Sequence, residues 1–362
     1  MSTSGEENDD AGLAEEHAST PAHMSYKDAG VDIERAAQTK QRMAAIVRST
    51  YGPEVLGGHG RFGGLFDIQW LQLKKDPVLV ASTDGVGTKT MIAAALGRFE
   101  TLGHDLVNHC IDDILVQGAK PLFFLDYIAS SQLDPDRVLQ IVNGISEACR
   151  RANCALLGGE TAEMPGVYQP GEIDLVGAIV GWVERGQIID GSRIAAGDVL
   201  IGLPSSGLHT NGYSLARKAL AATPLDMPMP DGTGTLGDAL LAPHRSYLEP
   251  VTRLMARGVD IKGLVHITGG GFYENIPRVL PPGLGVRIEQ DAWPTPDIFR
   301  LIQQAGHISS EEMYHVFNMG VGLIVIVSPK DVSRTLGLLS DDSYRIGEVT
   351  AVSDDSPRVA IV

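Results

Sequence analysis

The chain has 362 residues, of which 43% are hydrophobic and 20% are charged, a composition typical of a globular protein large enough for two hydrophobic cores. Its formal net charge of -16 disfavours nucleic acid as a main partner, because an acidic surface repels phosphate backbones. The three cysteines include no CxxC pair, which argues against a disulfide framework or a thiolate zinc site and favours the reducing cytoplasm.

Residues 1–23 contain six acidic residues and no Lys or Arg, so they differ from both signal peptides and transit peptides. We predict that this segment is a disordered acidic tail without a role in the chemistry. The longest apolar run near the C-terminus, residues 321–327, is too short to span a bilayer and predicts a buried strand. No membrane partner is therefore expected.

From residue 77 onward, short β-type runs alternate with helical patterns, which predicts a mixed α/β architecture. In the first half, the predicted elements are strands at 77–81, 121–125, 154–157 and 173–183, and helices at 89–96, 101–117 and 134–152, the last capped by Asp134. In the second half, they are strands at 198–203, 264–267 and 317–327, a helix at 213–222 and a surface loop at 223–238. A boundary near residues 185–190 gives domains at 24–186 and 187–362, each predicted to be a mixed sheet with helices packed on it.

Residues 82–89, with the sequence STDGVGTK, join a predicted strand to a predicted helix, where open α/β sheets bind ligands. Asp84 offers a hard oxygen ligand for Mg²⁺. Gly85 and Gly87 let a phosphate approach the backbone closely, and Lys89 supplies a positive charge for it. An Asp-Gly turn with no ligand accounts for the motif equally well.

The predicted helix at 101–117 carries three aspartates with different orientations. Asp113 falls inside the apolar arc, where a carboxylate needs a cation or several hydrogen bonds, so we predict that it binds the metal. Asp105 and Asp112 fall on the polar side and are predicted to face solvent. Glu160 follows two glycines at the end of a strand, and we predict that it converges with Asp84 and Asp113 on one Mg²⁺, with a structural turn as the alternative.

Two further loops join strands to helices, at residues 204–213 (PSSGLHTNGY) and 267–272 (ITGGGF). Their hydroxyl, imidazole and amide side chains, together with helix-start amides, are suited to bind an anion. A plain helix cap by Thr210 or Asn211 is the alternative. Two such loops in one half of the chain predict a phosphorylated small-molecule substrate.

Together these strings resemble the phosphoribosylformylglycinamidine cyclo-ligase (aminoimidazole ribonucleotide synthetase) family over nearly the whole chain from Ser25. The resemblance implies two α/β domains, a homodimer built through the sheet of the first domain, and the use of ATP and Mg²⁺, and it also allows potassium. This chain departs from the family's usual residues at Asp112, where Asn is common, and at Met319, where Cys is common.

The motifs and the resemblance together assign roles to a set of site residues. These are Lys89 and His209 for catalysis; Lys27, Gly85, Gly87, Thr88, Gly158 and Gly159 for ATP and its phosphates; Ser206, Gly207, Thr210, Asn211, Gly269, Gly270 and Gly271 for the substrate; and Thr83, Asp84, Asp113 and Glu160 for the metal.

The reaction that the resemblance implies has two steps and belongs to purine biosynthesis. The formamide oxygen of formylglycinamidine ribonucleotide attacks the γ-phosphorus of ATP, and the amidine nitrogen then closes the ring on the iminophosphate as phosphate leaves. The alternatives are another ATP-using enzyme of the superfamily, such as thiamine monophosphate kinase, or a non-catalytic nucleotide-binding module. ATP turnover with and without the purine intermediate distinguishes them.

Overall fold

The computed structural model describes residues 33–56, 63–339, 343–353 and 356–362, so the predicted tail at 1–23 and Lys27 lie outside the described residues. In chain order, the helices and strands of the described residues are α1 (Ile33–Arg48), β1 (Val55–Leu56), β2 (Leu65–Phe66), β3 (Pro77–Gly85), α2 (Lys89–Leu96), α3 (Glu100–Leu115), β4 (Lys120–Ser130), α4 (Pro135–Arg151), β5 (Ala155–Glu163), β6 (Ile173–Glu184), β7 (Val199–Pro204), α5 (Tyr213–Ala219), α6 (Leu236–Leu241), α7 (Leu248–Ala256), β8 (Ile261–His266), α8 (Gly271–Asn275), β9 (Leu284–Ile288), α9 (Asp297–Gly306), α10 (Ser310–Val316), β10 (Val321–Val327), α11 (Val332–Leu338), β11 (Tyr344–Ala351) and β12 (Val359–Ile361).

The first half of the chain forms a four-stranded sheet with the strand order β3-β6-β4-β5. Strands β3 and β4 both run antiparallel to β6, whereas β4 and β5 are parallel. Successive residues of β6 alternate between buried and partly buried, because one face of the sheet is covered by α3 and α4 and the other is more open. The mixed α/β prediction is therefore confirmed for this half.

The second half forms a six-stranded sheet with the order β12-β9-β11-β7-β10-β8, in which only β12 and β9 pair in parallel among the described strands. All seven residues of β10 are buried, as its uninterrupted apolar sequence predicts. Successive side chains of β10 contribute to two different cores, with Ile324 on one side of the sheet and Val325 on the other. Helices therefore cover both faces of this sheet.

One predicted helix cap is confirmed, and one predicted strand begins a few residues later than expected. The cap of α4 is confirmed, because the Asp134 carboxylate accepts hydrogen bonds from the backbone N–H groups of Asp136 and Arg137. The strand predicted at 317–327 begins only at Val321, since Met319 and Gly320 have positive φ angles of 49° and 99°.

The two halves contact each other along α2 and α3, which pack against α6 and α7. The prediction that Asp105 and Asp112 face solvent is wrong, because both side chains are completely buried. A segment of the second half covers this face of α3: the backbone N–H of His244 donates to Asp105 Oδ1 at 2.7 Å, and that of Tyr247 donates to Asp112 Oδ1 at 3.0 Å. The polar side of α3 therefore accepts hydrogen bonds from backbone N–H groups of the second half instead of from water.

The three cysteines, Cys110, Cys149 and Cys154, are all free thiols buried in the core of the first half. None of the helices in the described residues is long and apolar enough to cross a membrane.

Candidate active site

Three loops meet where the two halves of the chain face each other. Residues 83–88 approach the second half closely, and the hydroxyl oxygens of Thr88 and Ser214 are 3.3 Å apart. A Cβ added at Gly269 would lie 3.3 Å from Asn211 Oδ1, so the two predicted anion loops are neighbours. The strand-to-helix loop of one half and both anion loops of the other therefore border a single cleft.

Two carboxylates and two histidines lie beside these loops. His109 Nε2 is 2.8 Å from Asp84 Oδ2 and 3.8 Å from Asp113 Oδ2. His266 Nδ1 is 2.9 Å from Asp113 Oδ1, and Ser82 Oγ donates to Asp113 Oδ2 at 3.0 Å. Asp84 and Asp113 are thus brought together as the sequence predicts, with His109 between them.

The charges in this cluster favour ionised carboxylates. Burial alone would raise the pKa of Asp84, but the close contact with His109 and its positive charge outweigh burial and lower that pKa below its ordinary value. The pKa of Asp113 is lowered in the same way, with burial opposed by His266 and His109. Burial disfavours charge on His109, yet the adjacent carboxylates raise its pKa above the usual value. The cleft therefore presents two anions held by one imidazolium.

The structure does not support a direct role for Lys89 at a phosphate. Its side chain is completely buried, and its ammonium donates to Asp105 Oδ1 at 2.8 Å and to the carbonyl oxygens of His209 and Ala242 at 3.2 Å and 2.7 Å. All three acceptors belong to the protein itself, so the donors of this ammonium are already engaged. Lys89 instead links α2 to α3 and to two segments of the second half.

His209 is also buried, which differs from its predicted role as a titrating group in the substrate loop. Its backbone φ is +62°, its Nε2 accepts a hydrogen bond from the Ser206 N–H at 3.2 Å, and its ring stacks on His244 at 3.9 Å. Burial and the surrounding positive charges lower its pKa well below the ordinary value, so the ring is neutral. His209 is therefore placed to hold the loop in shape.

Glu160 is not close to Asp84 and Asp113, and the prediction that all three bind one ion fails within this chain. Strands β6 and β4 separate β3 from β5, which puts Asp84 and Glu160 about 14 Å apart along the sheet. Asp84 pairs with Gly177, which pairs with Asp126, whereas Glu160 pairs with Tyr127. By the alternation of side chains, Glu160 points to the open face, and so does Thr83, the neighbour of Asp84.

The predicted glycines permit unusual backbone or close packing in the loops. Gly87 has a φ of +61°, and Gly207 has a φ of +144°. A Cβ at Gly271, whose φ is +55°, would lie 2.0 Å from the Tyr314 carbonyl oxygen. Gly85 ends β3 and Gly270 lies in the loop at 267–272, whereas Gly158 lies on β5 at the opposite edge of the first sheet from β3.

The remaining predicted residues make specific contacts. Gly159 lies against the carboxyl group of Asp126, where a Cβ would clash. The buried hydroxyl of Thr210 is 2.6 Å from His109 Nδ1 and so connects the substrate loop to the carboxylate cluster. The Ser206 hydroxyl donates to the Pro243 carbonyl oxygen.

Models of the AIR synthase related protein family match residues 66–183 with their N-terminal domain and residues 195–360 with their C-terminal domain. The phosphoribosylformylglycinamidine cyclo-ligase of Oceanobacillus iheyensis is 51% identical over 328 residues, which are 90% of this chain and 96% of the relative. That of Trichlorobacter lovleyi is 48% identical over 93% of this chain and 98% of its own length. This chain belongs to the phosphoribosylformylglycinamidine cyclo-ligase family.

More distant solved structures share the fold of this cyclo-ligase family member. Thiamine-monophosphate kinase from Stenotrophomonas maltophilia aligns with a TM-score of 0.61 at 18% identity, covering 89% of this chain and 94% of that one. The hydrogenase maturation protein HypE, solved in complex with ATP, aligns with a TM-score of 0.65 at 17% identity, covering 89% and 90%. At these identities the likeness concerns the fold alone.

Sequence reasoning missed three histidines that border the carboxylates of this cyclo-ligase family member: His109, His244 and His266. His109 precedes Asp113 by four residues on α3, a spacing that puts both side chains on one helix face and could have identified it. His266 directly precedes the predicted ITGGGF loop. His244 has no local signal, because its position depends on how the second half folds over α3.

Proposed function

We propose that this chain catalyses the ATP-dependent cyclisation of formylglycinamidine ribonucleotide to aminoimidazole ribonucleotide, with release of ADP and phosphate, in de novo purine biosynthesis. The observation that carries this proposal is the 51% identity to a named cyclo-ligase over nearly the full length of both chains. The cleft between the two halves supports it, because it joins paired carboxylates to two glycine-rich anion loops.

The carboxylate pair fits a magnesium ion that accompanies ATP. The side chains of Asp84 and Asp113 are 47% and 24% exposed to solvent, so both reach the cleft. Mg²⁺ prefers one or two protein carboxylates completed by substrate phosphates and water, which this pair provides for. When bound, the ion would offset charge on the phosphoryl group in transfer.

The residues of this chain would bind and orient the reactants. The backbone around Gly87 and Thr88 would hold phosphate groups, since the positive-φ Gly87 leaves room for an anion to approach, and the loop at 269–271 would contact the substrate. The formamide oxygen would then be aligned with the γ-phosphorus, and ring closure by the amidine nitrogen would follow on the iminophosphate. Catalysis of this kind depends mainly on positioning and electrostatics.

A homodimer through the first sheet is part of the proposal. On the open face of this sheet, Leu79 and Leu125 keep 60% and 38% of their surface exposed. Large apolar side chains that cluster on a sheet face are typical of surfaces covered by another subunit. Glu160 and Thr83 lie on the same face, so any contact that they make with nucleotide would involve this interface.

A cytoplasmic location and potassium as a second cation stay predictions.

Turnover by the purified full chain tests the proposed function. With ATP, Mg²⁺ and formylglycinamidine ribonucleotide, we expect equal amounts of ADP, phosphate and aminoimidazole ribonucleotide. ATP consumption only with thiamine monophosphate would contradict the assignment in favour of the kinase. ATP binding without turnover on either substrate would indicate a nucleotide-binding module.

A further inference from the structure

Three buried histidines from different parts of the chain face one another next to Asp84. His109 comes from α3, His244 from the segment before α7, and His266 from the end of β8. Their ring centroids are separated by 5.1 Å, 5.2 Å and 5.3 Å, which is close to an equilateral triangle. One ring nitrogen of each lies within 4.8 Å of one ring nitrogen of the other two.

The separations of the donor atoms match those around a tetrahedral transition metal. With zinc–nitrogen bonds of about 2.0–2.1 Å, two nitrogens of a tetrahedron lie roughly 3.3 Å apart. His244 Nε2 and His266 Nε2 are 3.2 Å apart, and one ring nitrogen of His109 lies within 4.8 Å of a nitrogen of each of the other two. We propose that His109, His244 and His266 form a binding site for a divalent transition metal of the Zn²⁺ class.

Groups behind two of the ligands would fix the rings for metal binding. His266 Nδ1 contacts Asp113 Oδ1 at 2.9 Å, and His109 Nδ1 contacts Thr210 Oγ1 at 2.6 Å. In protein metal sites, a ligating imidazole typically donates its other ring N–H to a carboxylate or another oxygen, which sets the tautomer and turns the free lone pair to the ion. These two histidines are therefore held with Nε2 toward the centre of the cluster.

His109 Nε2 lacks a well-aligned hydrogen-bond partner in the described residues, although it is nine-tenths buried or more and lies close to Asp84. This nitrogen is held at present by its 2.8 Å ion pair with Asp84, and a metal ion would take the place of the proton in that contact. His244 Nε2 is shared at present between His266 and Asp112 Oδ2, the latter at 3.3 Å. A bound ion would replace this pair of contacts with one coordination bond.

The ligand set distinguishes this site from the magnesium site proposed above. Imidazole nitrogens suit Zn²⁺, Co²⁺ and Ni²⁺, whereas Mg²⁺ prefers oxygen ligands in octahedral geometry. Asp84, a proposed magnesium ligand, lies 2.8 Å from His109 Nε2, so a transition metal in the histidine cluster would lie next to the magnesium site. Metal binding does not depend on the proposed catalytic activity.

Titration of the chelator-treated full chain with Co²⁺ tests the site directly. Tetrahedral Co²⁺ absorbs visible light much more strongly than octahedral Co²⁺, so the spectrum reports the geometry. We expect one Co²⁺ per chain with a tetrahedral spectrum, and displacement of Co²⁺ by Zn²⁺. His244→Ala and His266→Ala are each expected to weaken binding by at least about tenfold, and Asp113→Asn by about 10- to 100-fold through the loss of its contact with His266.

Two controls separate this cluster from other histidines of the chain. His307→Asn changes an exposed histidine whose positive φ of 49° suits Asn, and it is expected to leave Co²⁺ binding unchanged. His17, His23 and His59 lie outside the described residues, and replacing all three with Ala is expected to preserve the tetrahedral spectrum. Circular dichroism and a cooperative melt establish that each variant is folded.

The proposal is overturned by any of three results. The first is a wild-type chain that binds no Co²⁺ or gives only an octahedral spectrum. The second is a folded His244→Ala variant that binds Co²⁺ as tightly as wild type. The third is loss of the tetrahedral spectrum when His17, His23 and His59 are replaced with Ala. The wild-type spectrum decides the question even if the alanine variants do not fold.

Discussion

The neighbouring carboxyl groups of Asp112 and Asp113 differ in environment and should differ in function. Asp113 reaches the cleft and is held ionised by His109 and His266, so it is suited to bind a cation. Replacing it with Asn should depress turnover by about 10²-fold or more and raise the magnesium requirement, as expected when a charge-stabilising group is lost. A magnesium titration of turnover is the measurement.

Asp112→Asn should be much milder, for a reason that the helical pattern did not reveal. Burial raises the pKa of Asp112 well above its ordinary value, so its carboxyl group is neutral and Asn is a close substitute. The Asn carbonyl can still accept a hydrogen bond from the Tyr247 N–H. Greater damage from Asp112→Asn than from Asp113→Asn in the same titration would refute this ranking.

Asp126 should make the stability of the fold depend on pH. Burial, reinforced by the charge of Glu160, raises the pKa of Asp126 to about 7, whereas an unfolded Asp titrates near 3.9. The folded state therefore holds its proton more tightly, and stability is full below about pH 4 and declines as the pH rises toward 7. Asp126→Asn should match wild type near pH 4 and be more stable at pH 8 by on the order of 2–4 kcal/mol.

Urea unfolding at several pH values measures this difference. The exposed Asp136 is a matched control, because its side chain is 80% exposed and its replacement by Asn should leave the pH dependence unchanged. A constant difference between Asp126→Asn and wild type from pH 4 to pH 8 would contradict the assignment.

Helix α3 shows which features sequence patterns can and cannot predict. Its extent and the inward direction of Asp113 follow from apolar spacing along the chain. The burial of Asp105 and Asp112 does not, because it depends on a segment more than 130 residues later. The position of Glu160 was mispredicted for a related reason. A motif at the end of a strand does not determine the order of strands in the sheet, and β6 and β4 lie between β3, which carries Asp84, and β5, which carries Glu160. Local patterns therefore predicted elements well and long-range neighbours poorly.

The buried pair of Lys89 and Asp105 joins α2 and α3 to two segments of the second half and is predicted to contribute strongly to stability. Both side chains are fully buried, so removal of either leaves a buried charge without its partner. Lys89→Met or Asp105→Leu alone should destabilise the fold by about 3–5 kcal/mol. The double variant should lose less than the sum of the two single variants, since neither charge remains. Urea denaturation of all four proteins checks this, and strict additivity would argue against coupling.

The open face of the first sheet is predicted to hold two subunits together. Leu79→Glu or Leu125→Glu would place a charge at the centre of that interface and should shift the protein from dimer to monomer in analytical ultracentrifugation. Val362→Glu changes an equally exposed apolar residue in the second half and should leave the assembly unchanged. A wild-type monomer, or a Leu79→Glu dimer of unchanged affinity, would place the interface elsewhere.

The distribution of cysteines gives the two halves of the molecule different reactivity. Every thiol of the sequence is buried in the first half, and burial raises the pKa values of Cys110 and Cys149, so these two are protected against alkylation while the fold is closed. The rate of labelling by an alkylating reagent would therefore follow the opening of the first half alone, without interference from the second. The labelling rate of the native thiols thus reports the rate at which the first half opens. A slower labelling rate in the presence of nucleotide would measure how strongly nucleotide binding suppresses that opening.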